Sequence, residues 1–251
     1  MLWRGILRCC RLAVDLTVTA ALLLCGSFGL YGLWDNQQVL TSAADVQAEL
    51  LRWKPVAAAE AEAQDNSEKF AQLRMINPEV RGWITMEGTG IDFPVLQGQN
   101  NMSYINRDFF GNFSLAGSIF LDSRDDPEFE EGYALLYGHH MADGNMFGDL
   151  DKYREEAFFR EHSEGRLILP DREYRLEVVA CLVVPASEKM IFDPDYVRGH
   201  PGDWENFVTR NAALLREENR TGQQYLALTT CSSEFTDART VVLTRMEGVR
   251  E

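Results

Sequence analysis

The stretch YLALTTCSSEFTDARTVVLTRM, Tyr225 to Met246, sets two apolar runs on either side of a short polar segment. The first run, YLALTT, stops at Cys231, and the second, RTVVLTRM, opens on Arg239. Short apolar, β-branched runs separated by polar turn residues read as strands. Paired as a hairpin, they lay Arg239 across from Cys231. Taken alone, a cysteine at a strand end is more often a packing residue than a nucleophile. A guanidinium opposite changes that reading, because it favours a thiolate and can donate to an oxyanion. The competing explanation for Arg239 is a surface ion pair with Glu234 or Asp237, which contributes little to stability.

Working outward, the chain from Gly82 onward is a series of short β runs: GWITME, IDFPVLQ, GSIFLD, YALLYG, GRLILP, EYRLEVVACLVV, QQYLALTT and RTVVLTRM. Eight such runs punctuated by Gly, Asn and Asp point to a barrel or a sandwich. One helix interrupts them in HPGDWENFVTRNAALLREEN, with Asp203 as N-cap and Trp204, Phe207, Val208, Leu214 and Leu215 as its apolar face. A shorter one is expected in GDLDKYREEAFFREH, packing Tyr153, Phe158 and Phe159 on the sheet.

A thiol nucleophile needs a proton-exchanging partner, and the chain has four histidines. His162 falls in an acidic helix and His200 in a Gly-Pro turn, both with ordinary surface explanations. YALLYGHHMADGNMFGDL is different, since an apolar run delivers His139 and His140 to a glycine-rich loop, with Gly138 expected to turn the backbone. A metal site built from His139, His140, Asp143 and Asp149 does not fit. Adjacent histidines do not easily share one ion, and the loop lacks a calcium-binding register. No metal and no cofactor is expected.

Charge and hydropathy divide the chain. Arg4, Arg8 and Arg11 stand in an acid-free first eleven residues; removing those three from 24 basic residues against 39 acidic ones leaves −18 on the remainder. Such a field repels phosphates, which argues against nucleic-acid binding. Residues 1–11 read as a cytoplasmic tail. Leu12 to Trp34, LAVDLTVTAALLLCGSFGLYGLW, is long enough to cross a membrane, with Asp15 near one end and Tyr31 and Trp34 at the outer interface. A cleaved signal peptide is the rival reading, but the apolar run exceeds the usual length. Bulky Leu24 speaks against a lipoprotein site at LLLCG. Residues 35–76 read as a helical spacer and packing helix, in which Pro55 divides two helices, and residues 77–251 as the β domain. Of five cysteines, only Cys181 and Cys231 fall outside the membrane and tail. They could pair; alternatively Cys181 packs inside a strand buried on both faces while Cys231 stays free.

Three segments together resemble the class B sortases of Gram-positive bacteria, over roughly residues 70–246: LTTC with arginine eight residues on, YGHHMADGNMFGDL, and INPEVRGWITMEGTGIDFPVLQG. The resemblance implies a mainly β fold: a closed eight-stranded barrel with N-terminal helices and a helix before the cysteine strand, preceded by one transmembrane helix. It also implies cysteine transpeptidation, with Cys231 as nucleophile, His139 rather than His140 as the histidine of the site, and Arg239 on the oxyanion side. Substrate-binding residues by the same likeness are Asn101 and Ile105 in NNMSYIN, Tyr137 and Thr229. Ser232 stands where some relatives carry an acidic residue. The implied partners are the sorting-signal peptide of secreted surface proteins and a peptidoglycan-precursor or pilin amine, met outside a single-pass cell-membrane anchor. The rival readings are a secreted cysteine peptidase that uses water and an anchored binding module without turnover.

Overall fold

The computed structural model describes residues 2–56, 66–216, 222–231 and 238–249. Helix α1, Leu2–Leu50, runs unbroken through the apolar stretch and the DVQAEL segment beyond it. The chain divides into two compact units, residues 1–42 and 43–251. In the first, large apolar side chains such as Leu24, Phe28 and Leu33 are exposed. Thr17, Thr19 and Ser27 each donate a hydroxyl hydrogen bond to the carbonyl four residues back. These three hydroxyls therefore need no water, and the helix is long and apolar enough to cross a membrane.

In the second unit, a 3-10 turn at Leu51–Trp53 leads to Pro55, and helix α2, Ser67–Ile76, follows. Phe70 and Leu73 of α2 are buried with Trp83, Leu96 and Ile168. The strands follow as β1 (Val80–Met86), β2 (Asp92–Leu96), β3 (Phe120–Leu121) and β4 (Tyr133–His139). A 3-10 segment, Gly148–Arg154, and helix α3, Glu156–Glu161, make up the short helical element expected there. Strands β5 (Glu164–Ile168) and β6 (Glu173–Pro185) precede three helices, α4 (Lys189–Phe192), α5 (Pro194–Gly199) and α6 (Pro201–Asn211). The chain ends in β7 (Ala212–Leu215), β8 (Gln224–Cys231) and β9 (Ala238–Gly248).

Hydrogen bonding runs β5-β1-β2-β3-β4-β8-β9-β6, and β5 also pairs with β6, so eight strands close on themselves. The sheet is a barrel, not a sandwich, and all eight expected runs are its strands. Closure leaves these strands without a free edge and buries their inward faces, and helices cover the outer face of some of them. On β8, Leu226 and Leu228 fill the interior with Cys181 and Val242. Tyr225 and Ala227 pack outside the barrel with Trp204 and Val208 of α6. That double burial is why β8 reads as a continuous apolar run.

Two local expectations are corrected. The expected apolar helix face included Leu214 and Leu215, but α6 ends at Asn211 and Ala212–Leu215 forms β7, paired to β6 next to an irregularity at Cys181/Leu182. The pairing overrides the helix propensity of Ala-Ala-Leu-Leu. The N-cap of α6 is His200 rather than Asp203, because Pro201 takes the first helical turn, where its missing N–H costs no hydrogen bond.

Candidate active site

Strands β4 and β8 are parallel neighbours, in register from Tyr133↔Tyr225 to His139↔Cys231. Parallel pairing brings their C-terminal ends to the same rim of the barrel. Tyr137 and Thr229 are partners two residues earlier. Strands β8 and β9 are antiparallel and in register through Thr229↔Val241. The described pairing ends there, and Cys231 and Arg239 each stand two residues beyond that last pair. On its other side Arg239 is paired with Val184 of β6. The three residues singled out by chemistry thus arrive on three adjacent strands at one end of the sheet. The side chain of Cys231 lies outside the described residues, as do Ser232, Glu234 and Asp237.

The imidazole of His139 is held by a hydrogen bond from Nε2 to the carbonyl of Ile105, 2.6 Å long. Because a carbonyl only accepts, Nε2 carries the proton, and Nδ1 is the ring atom whose protonation can change. Gly117 makes this contact possible: its φ is +60°, and a Cβ there would collide with the Ile105 carbonyl and crowd the His139 ring. Gly138 has a different role from the one its position suggested. It lies inside β4 rather than at a turn, and a Cβ on it would fall 2.8 Å from the Phe147 ring. The glycine admits Phe147 to the core beneath His139.

His140 turns away from this arrangement. Its Nε2 lies 2.9 Å from Asp151 Oδ2, and Thr240 donates to Asp151 Oδ1 at 2.6 Å. Asp151 therefore joins the residue after His139 to the residue after Arg239. His162 packs on Phe158, and His200 stacks on Tyr196. Each is the C-cap residue of a short helix, α3 and α5 respectively.

The four residues assigned to substrate differ in surroundings. Asn101 donates to Asp122 Oδ2 at 2.8 Å and accepts from the Ser123 N–H at 2.8 Å, which fixes the orientation of its amide. Tyr137 stacks on Phe120 and donates its hydroxyl to the same Asp122 oxygen at 3.0 Å. Ile105 is partly buried against the cluster of α2 and β1. Thr229 is fully buried and directs its hydroxyl to Thr240 O, so it forms floor rather than open surface.

The residue that sequence reasoning missed is Asp122. It is fully buried, and it accepts from Asn101, Tyr137 and both the backbone and the side chain of Arg124. Burial alone would raise its carboxyl, but the Arg124 and Asn101 hydrogen bonds outweigh it and hold the group below the usual carboxylate range. The available signal was GSIFLDSR, an aspartate closing an apolar run two residues before an arginine.

A family model described as the sortase domain matches residues 84–247, most of the barrel. The chain belongs to the sortase family. Sortase B of Staphylococcus aureus is 29% identical over 187 residues, covering 71% of this chain and 74% of that protein. Sortase B of Listeria monocytogenes is 33% identical over 148 residues, 59% of each chain. Among solved structures, a class B sortase of Streptococcus pyogenes involved in pilus biogenesis is 36% identical, with a TM-score of 0.65 over 71% of this chain and 97% of that one. These likenesses place this sortase in class B, the cysteine transpeptidases that act on the sorting signals of surface proteins or pilins. The helices of this sortase between β6 and β8 lie where the resemblance expects a helix before the cysteine strand.

Proposed function

We propose that this sortase is a single-pass membrane enzyme, with residues 1–11 cytoplasmic, residues 12–34 in the bilayer, residues 35–76 as a helical spacer and residues 77–251 as an external catalytic barrel. It cleaves a C-terminal sorting signal after threonine and joins the acyl group to a cell-wall or pilin amine. The Cys231 thiolate attacks the threonine carbonyl, and its sulfur–carbon bond forms as the carbonyl π electrons move to oxygen. Arg239 and nearby backbone N–H groups stabilise that oxyanion. As the tetrahedral centre collapses, the peptide C–N bond breaks, and His139 in its imidazolium form gives the leaving amine a proton from Nδ1. An incoming primary amine then attacks the thioester. His139 takes its surplus proton, and the thiolate leaves. Asn101, Ile105, Tyr137 and Thr229 line or floor the groove that holds the signal.

The observation that carries this reading is the register pairing of His139 with Cys231 at the shared end of β4 and β8, with Arg239 on the next strand. The Ile105 carbonyl holds the imidazole through Nε2, which fits a proton exchange at Nδ1. The test is product partition. With a sorting-type pentapeptide and a primary amine, this sortase is expected to divert product from acid to amide in proportion to amine. A constant yield of acid at every amine concentration would favour a peptidase using water.

A further inference from the structure

We propose that Asp122 is a positioning residue for the sorting signal, a buried anion that fixes two groove side chains at once and ties the groove to the helices inserted between β6 and β7. The proposal rests on the reading above that Asn101 and Tyr137 line the groove.

Three donors converge on Asp122 Oδ2: Asn101 Nδ2 at 2.8 Å, the Tyr137 hydroxyl at 3.0 Å and an Arg124 nitrogen at 2.8 Å. The other oxygen accepts the Arg124 N–H at 3.0 Å and Arg124 Nε at 2.9 Å. An ionised carboxylate accepts at both oxygens and carries no hydrogen to set against any of these five donors. An amide in its place would point an NH2 group at one of these donors. Asn101 comes from the loop before β3 and Tyr137 from β4, so no hydrogen bond of regular structure fixes one side chain relative to the other. The Asp122 carboxylate does so.

Arg124 carries the constraint further. The guanidinium that chelates Asp122 also donates to Phe192 O at 2.8 Å and pairs with Asp193 at 3.2 Å, at the junction of α4 and α5. Arg198 of α5 repeats the tie one step along, through Asp125 at 2.6 Å. The inserted helices are therefore fastened to the β3–β4 connection by two arginines, one of which is anchored on the groove anion.

The test uses the full chain in detergent, a pentapeptide with proline second and threonine fourth chosen from a pool by turnover, and iodoacetamide as a probe of Cys231. Asp122→Asn is expected to raise KM about tenfold, the scale of a lost charge-assisted hydrogen bond, with kcat within about threefold and unchanged alkylation. Asn101→Ala and Tyr137→Phe are expected to raise KM as well. If those two raise KM and Asp122→Asn does not, the role of Asp122 is wrong while the groove reading stands. If neither of the two changes KM, the groove assignment itself fails, and the proposal with it. Should Asp122→Asn not fold, the Asn101→Ala/Tyr137→Phe cycle decides. The double mutant is expected to raise KM by less than the product of the single effects, because both side chains depend on one anchor, and full additivity would overturn the proposal.

Discussion

His139 and Cys231 hold matched register positions on the parallel strands β4 and β8, and the ring of His139 is held by the Ile105 carbonyl. A parallel pair delivers two side chains to one rim without any turn between them. The chain can therefore bring His139 and Cys231 to neighbouring backbone positions although about 90 residues separate them in sequence. Arg239 stands on the next strand, β9, two residues beyond the last described β8–β9 pair, Thr229↔Val241.

His139→Ala is expected to lower acylation by about 10²–10⁴, the usual worth of a positioned acid–base group. His140→Ala should retain most activity, since its described partner is Asp151. Single-turnover acylation of both variants decides this, and the reverse ranking would move the proton-exchanging role to His140.

Arg239→Lys is expected to fall nearly as far as Arg239→Ala, by about 10²–10³ in acylation, because a lysine keeps the charge but not the planar fork of donors. Lysine restoring acylation to within a few-fold of wild type would show that Arg239 acts as a point charge.

Cys181 is expected to stay a thiol and to resist alkylation until the barrel unfolds. It is fully buried in the barrel interior, and burial pushes its thiol up to about 12, so little thiolate exists near neutral pH. Non-reducing mass analysis and alkylation with and without denaturant check this. A Cys181–Cys231 bridge in active enzyme would contradict it.

Much of this was legible in the sequence. The eight barrel strands announced themselves because strands buried on one or both faces are runs of Val, Ile, Leu and aromatic residues. β7 did not: Ala212–Leu215 continues the apolar pattern of α6, and only its pairing with β6 makes it a strand. Cys231, His139 and Arg239 were singled out by their combination at strand ends beside polar loops and by the likeness to class B sortases, which chose His139 over His140. Asp122 did not, since an aspartate before Ser-Arg-Asp-Asp looks like turn chemistry. What distinguishes it is burial among Asn101, Tyr137 and Arg124, which are brought together only by the closed sheet.

Asp125 gives a pH signature of folding. Burial raises its carboxyl from 3.8 to about 7, against the pull of the Leu135 N–H and Arg198. The folded chain thus holds a proton that the unfolded chain releases, and this contribution to stability is present below about pH 4 and lost as pH rises through about 7. Relative to Asp125→Asn, wild type is expected to lose stability over that window in urea unfolding. A gain over the same window would mean that the Arg198 ion pair outweighs burial.

The most direct test of the account is the covalent intermediate. Wild type mixed with a turnover-competent pentapeptide, quenched in acid and digested, is expected to show the acyl mass on the Cys231 peptide. That adduct should disappear when a primary amine is added before the quench, with amide product in its place. Cys231→Ala should form neither adduct nor amide while unfolding as wild type does, a loss of more than about 10⁴ in rate. Turnover by Cys231→Ala, or an adduct on any other residue, would contradict the assignment of Cys231 as the nucleophile.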